Sequence, residues 1–243
     1  MDHRAILRPR IFEPFGWLCA GMTTRSASSP AESRDTMATR LRDGLPQARI
    51  VLAGQVHGCG VARADQDPPP RDKVREIPGV DALATASPLV LIGVFTADCL
   101  PVALVDPRRR NLAVAHAGRE GTRQGIVRKT VECLREMGSA PRDMVAWVGP
   151  SICAAHYEVS EEIAAQFRER FGHNAGLVAG PEGRHLDLRE INRRELTECG
   201  VDPSRIEVDP RCTLEDADLF YSYRREGASA GRMLTFLGIR DAE

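Results

Sequence analysis

The stretch Leu89-Val90-Leu91-Ile92-Gly93-Val94-Phe95-Thr96-Ala97-Asp98-Cys99-Leu100-Pro101 decides the fold. Its continuous apolar part, rich in branched side chains and closed by a polar turn and a proline, reads as a buried strand. Asn111-Leu112-Ala113-Val114-Ala115-His116 repeats the form, again with a polar side chain where the strand runs out. Between them, Asp106-Pro107-Arg108-Arg109-Arg110 has the composition of a solvated hairpin turn. By the same signals, strands are expected over 48–56, 89–96, 101–105, 111–115, 144–148, 206–209 and 233–237.

Helices fill the intervals. Ile126, Val127, Val131 and Leu134 recur at helical spacing between Thr122 and Met137, with Gly138 as a stop. Ser160 can cap a helix through Phe171, with Glu161 and Glu162 complementing its dipole. Asp187 followed by Glu190 resembles a capping box and opens a helix that ends near Gly200. Residues 65–78, with Pro68-Pro69-Pro70 and many charges, read as a long exposed loop. Several connections are too short for a regular series of parallel crossovers, so the expected class is α+β rather than a doubly wound sheet. The 243 residues suffice for one sizeable core, and a single domain over 1–243 is expected.

Cys99 and His116 sit where two strands end, and a second histidine, His57, lies in Gln55-Val56-His57-Gly58. Two imidazoles and a thiolate suit zinc, which in catalytic sites takes three protein ligands and keeps a fourth position open. No paired ligands at finger spacing are evident, so these three meet only after folding. Gly118, two residues past His116, permits close backbone approach to a ligand. Among the other cysteines, Cys133 and Cys199 fall within helical patterns, and Cys59 and Cys153 also read as packing residues, while Cys212 lies near the motifs.

Taken together, several strings identify a resemblance. Gln55-Val56-His57-Gly58, Thr96-Ala97-Asp98-Cys99-Leu100-Pro101-Val102, Ala115-His116-Ala117-Gly118, Val148-Gly149-Pro150-Ser151-Ile152 with Tyr157-Glu158-Val159, Cys212-Thr213 and Phe220-Tyr221-Ser222-Tyr223-Arg224-Arg225 run in order along the chain. In these the sequence resembles the bacterial YfiH-like family, also called laccase-domain proteins, multicopper polyphenol oxidases or peptidoglycan editing factors. The resemblance implies mixed β-sheets packed in a layered sandwich with helices outside, similar to the catalytic domain of cytotoxic necrotizing factors. It implies a purine nucleoside phosphorylase acting on adenosine, inosine and methylthioadenosine with phosphate, and adenosine deamination besides. It also implies zinc on His57, Cys99 and His116, with Asp98 as the adjacent acid and Arg25, Gln55, Arg119, Glu120 and Arg224 as candidate substrate or phosphate contacts.

Two places depart from the family pattern. Where the family reads His-Ala-Gly-Trp-Arg-Gly-Thr, this chain has His116-Ala117-Gly118-Arg119-Glu120-Gly121-Thr122. If Glu120 faces the open metal position, it should repel phosphate and favour water as nucleophile, so that deamination or hydrolysis exceeds phosphorolysis. After Met22-Thr23-Thr24-Arg25 the usual glycine-rich stretch is replaced by a short polar one, Ser26 to Asp35. Two other classes stand beside the enzyme reading. One is a hydrolase with Cys99 as nucleophile, including a peptidoglycan-editing amidase. The other is a metal-binding paralogue without catalysis.

Composition removes further classes. A formal net charge of −1 gives no general attraction to nucleic acid or anionic membrane, and no aromatic residues interleave with Arg108-Arg109-Arg110. No segment reaches the roughly 18–20 apolar residues of a membrane span. Seven cysteines at irregular spacing, with no evident signal peptide, lead to an expected cytoplasmic location. Six histidines are too few to surround the several coppers of a laccase comfortably, so zinc is expected over copper.

Overall fold

The computed structural model describes residues 5–43, 45–66, 68–88, 90–172, 178–179 and 183–240. The strands along the chain are β1 (Ile6–Leu7), β2 (Leu18–Thr23), β3 (Arg49–Ala53), β4 (Val61–Arg63), β5 (Val74–Ile77), β6 (Ala82–Thr85) and β7 (Val90–Thr96). They continue with β8 (Leu100–Asp106), β9 (Asn111–Ala117), β10 (Val145–Val148), β11 (Val178–Ala179), β12 (His185–Leu186), β13 (Ile206–Val208) and β14 (Met233–Ile239). The helices are α1 (Arg34–Thr39), α2 (Arg119–Arg123), α3 (Ile126–Glu136), α4 (Glu161–Phe171), α5 (Leu188–Glu198) and α6 (Tyr223–Glu226).

Two six-stranded sheets result, one ordered β1-β2-β14-β7-β3-β5 and the other β13-β10-β8-β9-β6-β4. Both are mixed: β7 pairs parallel with β3 and antiparallel with β14, and β10 pairs parallel with β13 and antiparallel with β8. The α+β expectation therefore holds. The central strands β7, β8, β9 and β14 are buried along their whole length, and period-two alternation sorts their side chains between two cores. Ile92, Val94, Ala103, Val105, Leu112, Val114 and Leu237 fill the layer between the sheets. On the outer face of the second sheet, Leu100, Val102, Leu104 and Ala113 pack with Ile126, Val131, Phe167, Ile191 and Leu196 of α3, α4 and α5. On the outer face of the first, Leu91, Phe95, Leu234 and Phe236 pack with Met37 and Ala38 of α1. Layers of helix, sheet, sheet and helix explain why these strands read as unbroken apolar runs.

The expected strands all appear, with boundaries shifted by a few residues; Leu89, the first residue of one, lies outside the described residues. Arg108-Arg109-Arg110 does close the β8–β9 hairpin, where Asp106 Oδ1 accepts the Arg108 and Arg109 amides at 2.9 and 3.1 Å. The expected helix from Thr122 to Met137 is two helices, because Gly125 at φ +78° turns left-handed between α2 and α3. Ser160 and Asp187 cap α4 and α5 as expected, through the amides of Ile163 and Glu190. The Glu190 carboxylate turns instead to Arg193 and Arg194, both at 2.6 Å. The expected loop 65–78 contains β5, a charged edge strand beside β3 whose composition hides it. Strands β2 and β6 were not expected, because alanine, glycine and leucine carry little strand signal.

Candidate functional site

Among the connections that cross between the sheets are those from β3 to β4 and from β7 to β8. Each of these two carries one of the anticipated donors. His57 lies in the first, Cys99 in the second, and His116 lies at the end of β9, opposite Pro101. Their donor atoms all lie within 4.8 Å of one another, at the edge of the layer between the sheets. The two imidazoles stand edge to face with centroids 4.9 Å apart.

Unusual backbone makes this meeting possible. Gln55, His57 and Asp98 have φ of +55°, +59° and +82°, a left-handed conformation that side-chain-bearing residues adopt only where their surroundings impose it. Gln55 supplies part of that constraint: its amide accepts from Phe95 N at 2.8 Å and donates to Phe95 O at 2.6 Å, as a paired strand residue would. Gly118 completes the cradle, since a Cβ there would stand 3.2 Å from Cys99 Sγ, 3.4 Å from His57 Cδ2 and 3.5 Å from His116 Cε1.

Asp81, which sequence reasoning missed, ties the ligand-bearing segments together. Fully buried, it accepts from the amides of Val56, His57 and Gly58 at 3.1, 3.0 and 2.8 Å, and its Oδ1 lies 2.8 Å from His116 Nδ1. Burial alone would raise its pKa, but the bonds to His116 and the Gly58 and Val56 amides outweigh burial and hold it low. The anion thereby turns the other ring nitrogen of His116 toward Cys99, the second layer that metal-bound histidines ordinarily have. Burial also opposes the Cys99 thiolate, yet hydrogen bonds with His116 and His57 bring its pKa down to about 6. Burial opposes the His116 cation, and Asp81 and Cys99 together push its pKa up to about 9. A metal needs a thiolate and a neutral imidazole, so an ion entering the triad displaces the His116 proton. Thiolate, two imidazoles and an ordering carboxylate are a donor set that fits a zinc-type ion.

That cleft has a volume of about 630 Å³, and among its lining residues are the triad, Gln55, Phe95, Asp98, Arg119, Tyr157 and Arg224. Asp98 is committed to the wall: its carboxylate accepts from Thr213 Oγ1 at 2.6 Å, Ser222 Oγ at 3.1 Å and the Arg224 amide at 2.6 Å. The Arg224 guanidinium is held by the carbonyls of His156 and Glu158 at 3.5 and 3.1 Å and covers the Tyr157 ring. Arg119 is exposed in the cleft and, among the described residues, has neither a hydrogen bond nor an ion pair.

Two anticipated contacts stand elsewhere. Glu120 does not line the cleft; its carboxylate is held by Arg123 at 2.5 and 2.9 Å and by Gln124 at 2.5 Å, because the next position of a helix faces a different way. The premise of the repulsion argument, a glutamate facing the metal, is not met. Arg25 also lies outside the lining, paired with Glu226 at 2.7 Å and stacked over Tyr221 at 4.6 Å. Besides Asp81, sequence reasoning missed Arg34, Tyr223 and Arg232 in the wall. Asp81 had one readable signal, an acid immediately before a short apolar segment.

The chain is similar to several known proteins. The family profile described as multi-copper polyphenol oxidoreductase laccase matches residues 20–240. A protein named purine nucleoside phosphorylase from Deinococcus radiodurans is 41% identical over 216 residues, covering 86% of this chain and 77% of the relative. One named adenosine deaminase RL5, from an unknown prokaryotic organism, is 36% identical over 86% of this chain and 80% of its own length. The crystal structure of YlmD from Geobacillus stearothermophilus superposes with a TM-score of 0.84 at 29% identity, covering 99% of this chain and 98% of that one. With the profile spanning nearly all of it, the chain belongs to the multi-copper polyphenol oxidoreductase laccase family.

Proposed function

We propose that the protein is a zinc-dependent purine nucleoside phosphorylase. Phosphate attacks the anomeric carbon of the ribose, the glycosidic C–N bond breaks, and ribose 1-phosphate and the free base leave. The observation that carries this reading is the convergence of the His57, Cys99 and His116 donors within 4.8 Å beside a cleft that also holds the uncommitted Arg119 guanidinium. A zinc ion held by His57, Cys99 and His116 would supply a Lewis acid beside the cleft.

The chain's own residues bind and orient. Arg119 offers a guanidinium fork to phosphate at no cost of breaking an existing pair, and Arg224 of α6 adds positive charge to the cleft lining. Phe95, Tyr157 and Tyr223 supply aromatic surface for a purine. Asp98 and Gln55 act as positioning residues, since the polar atoms of both are already bonded within the protein. The names of the relatives support the reaction class. All seven cysteines are free, which suits a reducing compartment, and the cytoplasm is the assigned location.

A second reading, adenosine deamination, is favoured by the relative of that name. Such chemistry uses a carboxylate to shuttle protons, and Asp98 has both oxygens engaged, so phosphorolysis leads. The test is to incubate inosine, adenosine and methylthioadenosine with and without phosphate, beside His57→Ala and a metal measurement. Phosphate-dependent release of base, lost with the metal in His57→Ala, is expected. Ammonia release independent of phosphate would give the second reading precedence, and loss of zinc without loss of turnover would overturn the site.

A further inference from the structure

A second constellation of metal-binding side chains lies apart from the triad. Cys153, His156, Cys212 and Glu215 offer four donor atoms that all lie within 4.8 Å of one another. The spacing is Cys-x-x-His in one segment and Cys-x-x-Glu in the other, and each pair sits on a tight turn. His156 N donates to Cys153 O at 3.0 Å, and Asp216 N donates to Cys212 O at 2.8 Å. The turns are joined at their base by the isolated bridge between Ser151 and Cys212. Two turns, each presenting a ligand pair three positions apart, have the spacing of closed structural zinc sites.

The distances fit such an ion. Zinc–sulfur bonds near 2.3 Å and zinc–nitrogen or –oxygen bonds near 2.0 Å in a tetrahedron place neighbouring donors about 3.3–3.8 Å apart. His156 Nδ1 is 3.3 Å from Cys153 Sγ and 3.3 Å from Glu215 Oε1. The Cys153 amide donates to Cys212 Sγ at 3.3 Å, a contact that stabilises negative charge on that sulfur. Packing alone would explain one buried thiol, but it does not aim an imidazole, a carboxylate and a second thiol at it.

We infer that Cys153, His156, Cys212 and Glu215 bind a second, structural zinc ion that clamps one wall of the cleft. The clamped turns hold groups the cleft depends on. The carbonyl of His156 anchors Arg224, Tyr157 follows directly, and Thr213 grips Asp98. Four protein ligands leave no position for substrate, so this ion shapes the wall and does no chemistry.

The test counts metal in protein purified without chelator. Unmodified protein is expected to hold two zinc ions per chain, Cys99→Ala one, and Cys99→Ala combined with Cys212→Ser none. Cobalt exchanged into Cys99→Ala should show a thiolate-to-cobalt charge-transfer band that vanishes in the combined variant. His156→Ala in the Cys99→Ala background, which leaves both sulfurs in place, should also lose the ion and guards against a Cys212 variant that fails to fold. Zinc retained in full by both double variants overturns the inference. So does a Cys99→Ala protein without zinc, or one whose mass and thiol count show Cys153 and Cys212 joined as a disulfide.

Discussion

Replacing Asp81 by asparagine removes a charge and almost no volume, so its effect comes from lost hydrogen bonds and lost charge and not from packing. Oδ1 serves the His57 amide and His116 Nδ1, while Oδ2 serves the amides of Val56 and Gly58. An asparagine keeps one acceptor oxygen. If that oxygen stays with the histidines, its NH2 group meets two amide donors and leaves both unsatisfied. At about 1–2 kcal/mol each, the loss is about 2–4 kcal/mol. For a chain of this size, at about 2–4 °C per kcal/mol, the midpoint should fall by roughly 4–16 °C. Metal affinity should fall as well, by roughly 10- to 100-fold, because the orientation of His116 and the left-handed turn at His57 both slacken. Differential scanning calorimetry reads the first effect, and competition with a chelator of known zinc affinity reads the second. A variant whose midpoint and zinc affinity both match the unmodified protein would refute the role assigned to Asp81.

Arg119→Ala should raise the KM for phosphate by roughly 10- to 100-fold in steady-state phosphorolysis, the loss of one charge-assisted contact. Glu120→Gln, on the outer side of the same helix, should leave that KM within about twofold, and a large change there would mean that α2 is turned differently. Gly118→Ala should weaken metal binding by about tenfold without unfolding the protein, because its Cβ would press on Cys99 Sγ at 3.2 Å while touching the two imidazoles at 3.4 and 3.5 Å; unchanged metal content after dialysis would contradict the cradle. Bonds to Arg193 and Arg194 hold Glu190 down at about 2, against a smaller opposing effect of burial. A depressed carboxylate stabilises the fold above its unfolded pKa near 4.3, and that contribution is lost as pH falls toward 2. Glu190→Gln should therefore cost about 1 kcal/mol at pH 7 and clearly less at pH 2, where the carboxylate is half protonated in the fold, as read from urea midpoints at the two pH values.

The fold was legible where burial is two-sided. Runs such as Val90 to Phe95 and Asn111 to Ala115 announce central strands because both faces need apolar side chains. It was not legible at β5, whose charges belong to an edge, or at Gly125, where one left-handed residue divides a continuous apolar stripe. The triad could be named from strand ends and motif strings, while its geometry rests on Asp81 and the turns at Gln55 and His57. Those contacts join residues 24 to 40 positions apart and leave no local pattern. Glu120 shows the converse: adjacency to Arg119 in sequence says nothing about sharing its face of a helix.

The β3–β4 and β7–β8 crossings between the sheets also bear on how the protein comes apart. One donor rides on each crossing and the third on β9, so an ion in the triad fastens both sheets at one seam. Peeling either sheet away must break a bond to that ion. Occupancy at a free metal concentration 100-fold above Kd should then add about 2.7 kcal/mol to the sandwich as a whole. Hydrogen exchange in β3 and in β9 should slow together on metal addition, although the two strands belong to different sheets. An ion there would act as a rivet, and the enzyme's durability should then follow the metal supply of its surroundings.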